Sequence, residues 1–165
     1  MTEKISYTIC VNSKDQLAGG ANNNCSFYIP WSTILPMNDN CKVAFSFQSV
    51  GDYYFDTTTI INSSASLFCD FSSRSYQYNT SKNGPSSSMG LITRDPYNTQ
   101  TTFNTFSSYP SQNVPKTIVR PNNDNLHIKI INNATNEPLV ATTSNGNPTT
   151  DMSSWVLYLE FIPIN

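Results

Sequence analysis

The 165-residue chain carries 11 acidic and 9 basic side chains, for a formal net charge of −2, and its basic residues are scattered singly from Lys4 to Lys129. Without a basic stripe, nucleic-acid binding driven by phosphate neutralisation is excluded, and no run approaches the ~18 apolar residues of a membrane-spanning helix. Aromatic residues reach 12% and charged residues only 12%, which excludes a disordered chain and leaves Asn, Ser and Thr, 61 of the 165 residues, to form a neutral polar surface.

The hydrophobic period is two almost throughout, so the predicted elements are strands. MTEKISYTICVNSKD has no apolar h-region, and no signal peptide is expected. Within it KISYTICV (4–11) alternates Ile5, Tyr7 and Ile9 against Ser6, Thr8 and Cys10. The polar loop NSKDQLAGGANNN follows, with Gly19 and Gly20 available for left-handed backbone. CSFYIP (25–30) is a second strand, ended by Pro30, which cannot donate to a ladder. WSTILP forms a single turn or a bent extended segment before an NDN turn. KVAFSFQSV (42–50) then points Val43, Phe45 and Phe47 inward.

Two further strands are expected around 57–62 and 66–71. Residues 72–88 read as soft, with turn chemistry at Asn83-Gly84-Pro85. MGLIT, TTFNTF and KTIVR are short strands between Pro-, Ser- and Asn-rich loops. LHIKIIN (126–132) sets Leu126, Ile128 and Ile130 on one face. SSWVLYLEFIPI sets Trp155, Leu157, Leu159 and Phe161 on one face, with Val156, Tyr158 and Ile162 around Glu160 on the other. A strand apolar on both faces is central in a sheet or covered by another subunit. With turns every ~8–15 residues and no convincing helical period, residues 1–165 are expected to form one all-β antiparallel sandwich or jelly roll of about eight strands. Its expected core is Phe27, Phe45, Phe47, Leu67, Ile128, Ile130, Trp155, Leu157 and Leu159.

Catalytic constellations are missing from the inventory. The chain has one histidine, His127, too few for a cupin-type metal site, and it reads as surface- or subunit-facing. No GxSxG elbow, GxxxxGK[ST] loop or GxGxxG is present. No enzyme activity, cofactor or metal is therefore expected, and NDN at 38–40 and NNDN at 122–125 read as turns. Asp52, Tyr53, Tyr54 and Asp56 have a composition suited to a sugar platform, or equally to an interface loop with aromatic anchors. Of the four cysteines, Cys25, Cys41 and Cys69 share faces with core residues and are expected to be buried and outside any disulfide; Cys10 falls on the polar side. Tyr76, Tyr78, Tyr97, Phe103, Phe106 and Tyr109, in the loop-rich segment 72–125, are rings that a minimal core does not need, so they are expected at an interface. The same expectation attaches to Val156, Tyr158 and Ile162.

An N-terminal strand, a Gly/Asn loop, FYIPWSTILP, a short turn and KVAFSFQSV, closed by LHIKIIN and SSWVLYLEFIPIN, resembles small coat proteins of large icosahedral double-stranded DNA viruses. The resemblance covers residues 4–50 and 126–164. It implies a single jelly roll serving as a minor capsid or penton-type protein, located in the virion after assembly in the host cell. Its implied partners are further copies of itself and other capsid proteins. The family brings no active-site residues. The alternative is a glycan-binding jelly roll of the attachment or lectin-like kind.

Overall fold

The computed structural model describes residues 6–35, 40–49, 64–70, 77–79, 84–86, 88–94, 106–108, 115–121, 123–141 and 149–164. Its strands are β1 (Tyr7–Asn12), β2 (Asn24–Tyr28), β3 (Asn40–Ser49), β4 (Ser64–Cys69), β5 (Gln77–Asn79), β6 (Gly84–Ser86), β7 (Ser88–Arg94), β8 (Phe106–Ser107), β9 (Lys116–Val119), β10 (Asn125–Asn132) and β11 (Trp155–Pro163). One helical turn, α1 (Trp31–Ile34), follows β2. Of the two conformations open to WSTILP, the chain takes the turn. Pro30 precedes it at φ −74°, and the Leu35 N–H closes it on the Trp31 carbonyl at 2.8 Å.

Among the described residues every strand pairing is antiparallel, and the order is β1-β11-β3-β8-β7-β4-β10-β2, with β9 also on β3. The pairings nest: β1 with β11, β2 with β10, β3 with β8 and β9, and β4 with β7. First thus meets last and the innermost two meet each other, which is the wrap of a jelly roll. The sheet folds over at β8, which bonds both β3 and β7, and nearly closes into a barrel-like sandwich. One wall is β1-β11-β3, the other β7-β4-β10-β2. The strands exceed eight because β8 and β9 share one jelly-roll position and β5/β6 form a separate hairpin. That hairpin corrects the reading of 72–88 as soft, since Gly84 and Pro85 lie in β6 and pair with Asn79 and Tyr78. Pro85 has no N–H to donate, so it is tolerated in a two-stranded edge pairing where a central strand would reject it.

Period-two burial is kept in the long strands. Cys41, Val43, Phe45 and Phe47 of β3, Leu126, Ile128 and Ile130 of β10, and Trp155, Leu157, Leu159 and Phe161 of β11 are all buried. Phe27 and Leu67 join them, so all nine expected core residues are in the core. Trp155 binds the two walls together. Its ring lies 5.7 Å from Phe47 on its own wall and 5.9 Å, edge-on, from Phe27 on the opposite one. Trp31 packs edge-on against Phe161 at 5.6 Å and so caps one end of the core.

Phe106 departs from expectation. It is fully buried in the core rather than available to a partner. Its N–H donates to Ser49 Oγ at 2.8 Å and β8 spans the walls there, so the ring fills the fold-over point between them. The loop between β1 and β2 differs as well. Gly19 takes the left-handed φ of 91°, but Gly20 serves close approach instead: a Cβ there would stand 2.5 Å from Gln16 Oε1 and 3.2 Å from Cys25 Cβ.

Candidate functional site

Each wall presents an outer face, and register decides what each face displays. On the β1-β11-β3 wall, Tyr158 stands between Cys10 and Ser46, Val156 between Asn12 and Gln48, and Glu160 between Thr8 and Ala44; Ile162 is opposite Lys42. Val156 and Ile162 are half-buried, while Tyr158 remains 49% exposed. The sandwich core therefore covers only one side of β11. Across the strands from Tyr158 the neighbours, Cys10 and Ser46, are small and uncharged, while along β11 it is flanked by Val156 and Glu160, with Lys42 beyond at the Ile162 end. A hydrogen bond with the Cys10 side chain, followed by the charge of that thiol, raises the Tyr158 phenol above its ordinary pKa.

The outer face of the other wall carries a groove of about 450 Å³, lined by Phe68, Cys69, Asp70, His127, Lys129, Ile131 and Asn136. Alternation along β10 turns His127, Lys129 and Ile131 outward, and pairing with β4 sets Phe68 directly opposite Lys129. His127 is held on three sides. Its Nδ1 lies 2.8 Å from Ser26 Oγ, its backbone N–H donates to Asp70 Oδ1 at 2.9 Å, and its carbonyl accepts from the Asp70 N–H at 3.2 Å. Asn136 takes the left-handed φ of 61° at the reversal after β10, a conformation asparagine tolerates better than most residues, and this sets it at the groove rim. Parity was enough to place His127 and Lys129 outward. Their partners Ser26 and Phe68 in β2 and β4, and Asp70 just after β4, lie 57 to 101 residues away and could not be read locally.

At one end of the sandwich the loops are knotted by Asp151. Its Oδ2 accepts the Asn22 N–H at 2.9 Å, and its Oδ1 accepts those of Asn23 and Met152 at 3.1 and 2.7 Å. The side-chain amides of Asn22 and Asn23 return the tie by donating to the carbonyls of Met152 and Leu139, at 2.8 and 2.9 Å. These five hydrogen bonds all lie within the chain, which makes the cluster a structural hub.

The remaining expected residues are distributed as follows. Asp52, Tyr53, Tyr54, Asp56, Tyr76, Tyr97, Phe103 and Tyr109 lie outside the described residues, as does the expected strand at 57–62; of Tyr78 only the backbone, in β5, is described. Among the described residues no three His, Cys, Asp or Glu side chains are grouped to hold a metal ion. No helix among them is long and apolar enough to cross a membrane.

None of the four cysteines is disulfide-bonded; Cys25, Cys41 and Cys69 are buried and Cys10 is exposed. Geometry explains Cys25 and Cys69, which flank Ile128 from β2 and β4. Two strand spacings separate their Cα atoms by about 9.5 Å, beyond the ~7 Å a disulfide spans. Burial, then the nearby Asp151 carboxylate, pushes the Cys25 thiol up to about 12. Burial, then Asp70 and Cys25, raises Cys69 as well. At pH 8 iodoacetamide is therefore expected to alkylate one thiol per native chain, Cys10, and all four only after unfolding, read by intact mass. A second native label would contradict it. The raised thiols also carry a pH signature. Their contribution to stability is complete below the ordinary thiol value of 9.0 and is lost as the pH rises toward 12, because only the unfolded chain ionises in that window.

Neither a protein-family model nor a curated protein sequence matches this chain.

Proposed function

We propose that the chain is a structural virion protein, a minor capsid or penton-type subunit of an icosahedral double-stranded DNA virus, which works through subunit contacts rather than catalysis. The observation that carries the proposal is the outer face of the β1-β11-β3 wall, where Tyr158 is 49% exposed between the small cross-strand neighbours Cys10 and Ser46. Glu160 and Lys42 can stay at the rim of such a face, and a large ring between small side chains is the composition of an interface centre. The jelly-roll wrap supports the reading too, since it joins β1–β4 and β7–β11 into one sandwich whose two broad outer faces are left for neighbours. Fold alone does not assign function, so the weight falls on that face. Its partners in this reading are further copies of the chain or other shell proteins, and its location is the virion.

Replacing Tyr158 with serine tests the reading. The side chain is not in the core, so the variant folds with a wild-type circular dichroism spectrum. Its self-association or co-assembly is expected to weaken by about 30-fold or more, corresponding to ~2 kcal/mol at a central aromatic. Analytical ultracentrifugation across a concentration series measures this. A variant that assembles as wild type, or that fails to fold, removes this face as an interface.

A further inference from the structure

We infer that the groove on the outer face of the β7-β4-β10-β2 wall binds a carboxylate-bearing sugar residue. The inference concerns the wall opposite Tyr158 and does not rest on the assembly reading. The volume of about 450 Å³ falls in the range of small-molecule sites, ~300–1,000 Å³. What selects the ligand is the mixture of chemistries within it.

Phe68 and Ile131, both half-buried, give the groove an apolar surface suited to the C–H face of a pyranose ring. Lys129, exposed and directly across the strand pair from Phe68, makes no ion pair among the described residues, so its ammonium is available to a ligand carboxylate. His127 contributes from the same side of β10. Ser26 Oγ engages Nδ1 at 2.8 Å and so holds the imidazole in place, leaving Nε2 as the ring nitrogen with which the histidine can meet a ligand. Asp70 spends Oδ1 on the His127 backbone, and Oδ2 remains to accept from sugar hydroxyls. Asn136 adds an amide that both donates and accepts.

Alternative ligands leave something unmatched. A neutral sugar makes no use of the Lys129 ammonium. A bare anion neglects the aromatic surface and the hydroxyl-accepting Asp70. A cation meets Lys129. An acidic sugar satisfies all of these at once: carboxylate to Lys129 and His127, ring face to Phe68, hydroxyls to Asp70 and Asn136. The outward residues from His127 to Ile131 extend over about 13 Å, room for more than one sugar ring.

His127 is the only histidine of the 165 residues, so its ring protons report this groove alone. The test is a proton NMR titration at fixed pH and ionic strength. N-acetylneuraminic acid and D-glucuronic acid are the probes; N-acetylglucosamine, D-glucose and sodium acetate are the comparisons. At least one acidic sugar is expected to shift the His127 signals saturably, with a Kd of about 1 mM given the openness of the groove. The neutral sugars and acetate are expected to bind at least about tenfold more weakly. K129Q, at an exposed position that leaves the fold intact, is expected to lose about tenfold in affinity for the acidic sugar. The inference is overturned if neither acidic sugar gives a saturable shift, if acetate or a neutral sugar binds equally well, or if K129Q binds like the wild type.

Discussion

Trp155→Ala is expected to lower the free energy of unfolding by about 4 kcal/mol, as large aromatic truncations in cores do. Two effects combine at this position. The indole is fully buried between Phe47 on its own wall and Phe27 on the other, so its removal opens a cavity where the walls meet. Its Nε1 also donates to the Asn22 carbonyl at 2.6 Å, and alanine leaves that acceptor without its partner. For a chain of this length the midpoint of thermal unfolding should fall by roughly 8–16 °C. Trp155→Phe separates the two, since it keeps most of the volume and loses the hydrogen bond, and about 2 kcal/mol is expected for it. Urea unfolding followed by circular dichroism measures both. A loss under ~1 kcal/mol for the alanine variant would mean that the walls do not depend on this ring.

Asp151→Ala is the second large effect, expected at about 3 kcal/mol. The carboxylate accepts three backbone N–H groups from two segments 128 or more residues apart in sequence. Hydrogen bonds to a charged acceptor contribute more than neutral ones, and alanine strands all three donors at a part-buried site. Asp151→Asn keeps the shape and one carbonyl oxygen, so about half the loss is expected. The asparagine variant has an independent readout. Removing the Asp151 charge lowers the Cys25 thiol from its raised value, while burial still holds it above 9.0, the ordinary value. A thiol titration with unchanged Cys25 behaviour, together with wild-type stability, would show that the loops are tied elsewhere.

Much of the architecture was legible because burial in a sheet is a local property. Alternation along KVAFSFQSV, LHIKIIN and SSWVLYLEFIPI named the inward side chains without any knowledge of neighbours, and the same parity separated Cys10 from the three buried cysteines. Phe106 was misplaced for a related reason. TTFNTF, in which it lies, is polar and threonine-rich, so nothing in the segment marks the one ring that fills the fold-over at β8. The β5/β6 hairpin escaped notice because Asn83-Gly84-Pro85 reads as turn chemistry, whereas Gly84 and Pro85 belong to a strand.

The two candidate surfaces and the Asp151 hub were decided only by tertiary structure. Period two says that Tyr158, His127 and Lys129 face outward; it does not say what stands beside them. Register sets Cys10 and Ser46 around Tyr158, Phe68 across from Lys129, and Ser26 and Asp70 on either side of His127. Register is a long-range quantity, fixed by the whole set of strand pairings and by loops that must close between them. The Asn22, Asn23 and Asp151 tie is of the same kind: a polar loop and a lone aspartate have no local signature until the jelly-roll wrap brings the ends of β1 and β11 together. Side-chain direction thus follows from the order of residues along each strand, and chemistry between strands from the way the chain closes on itself.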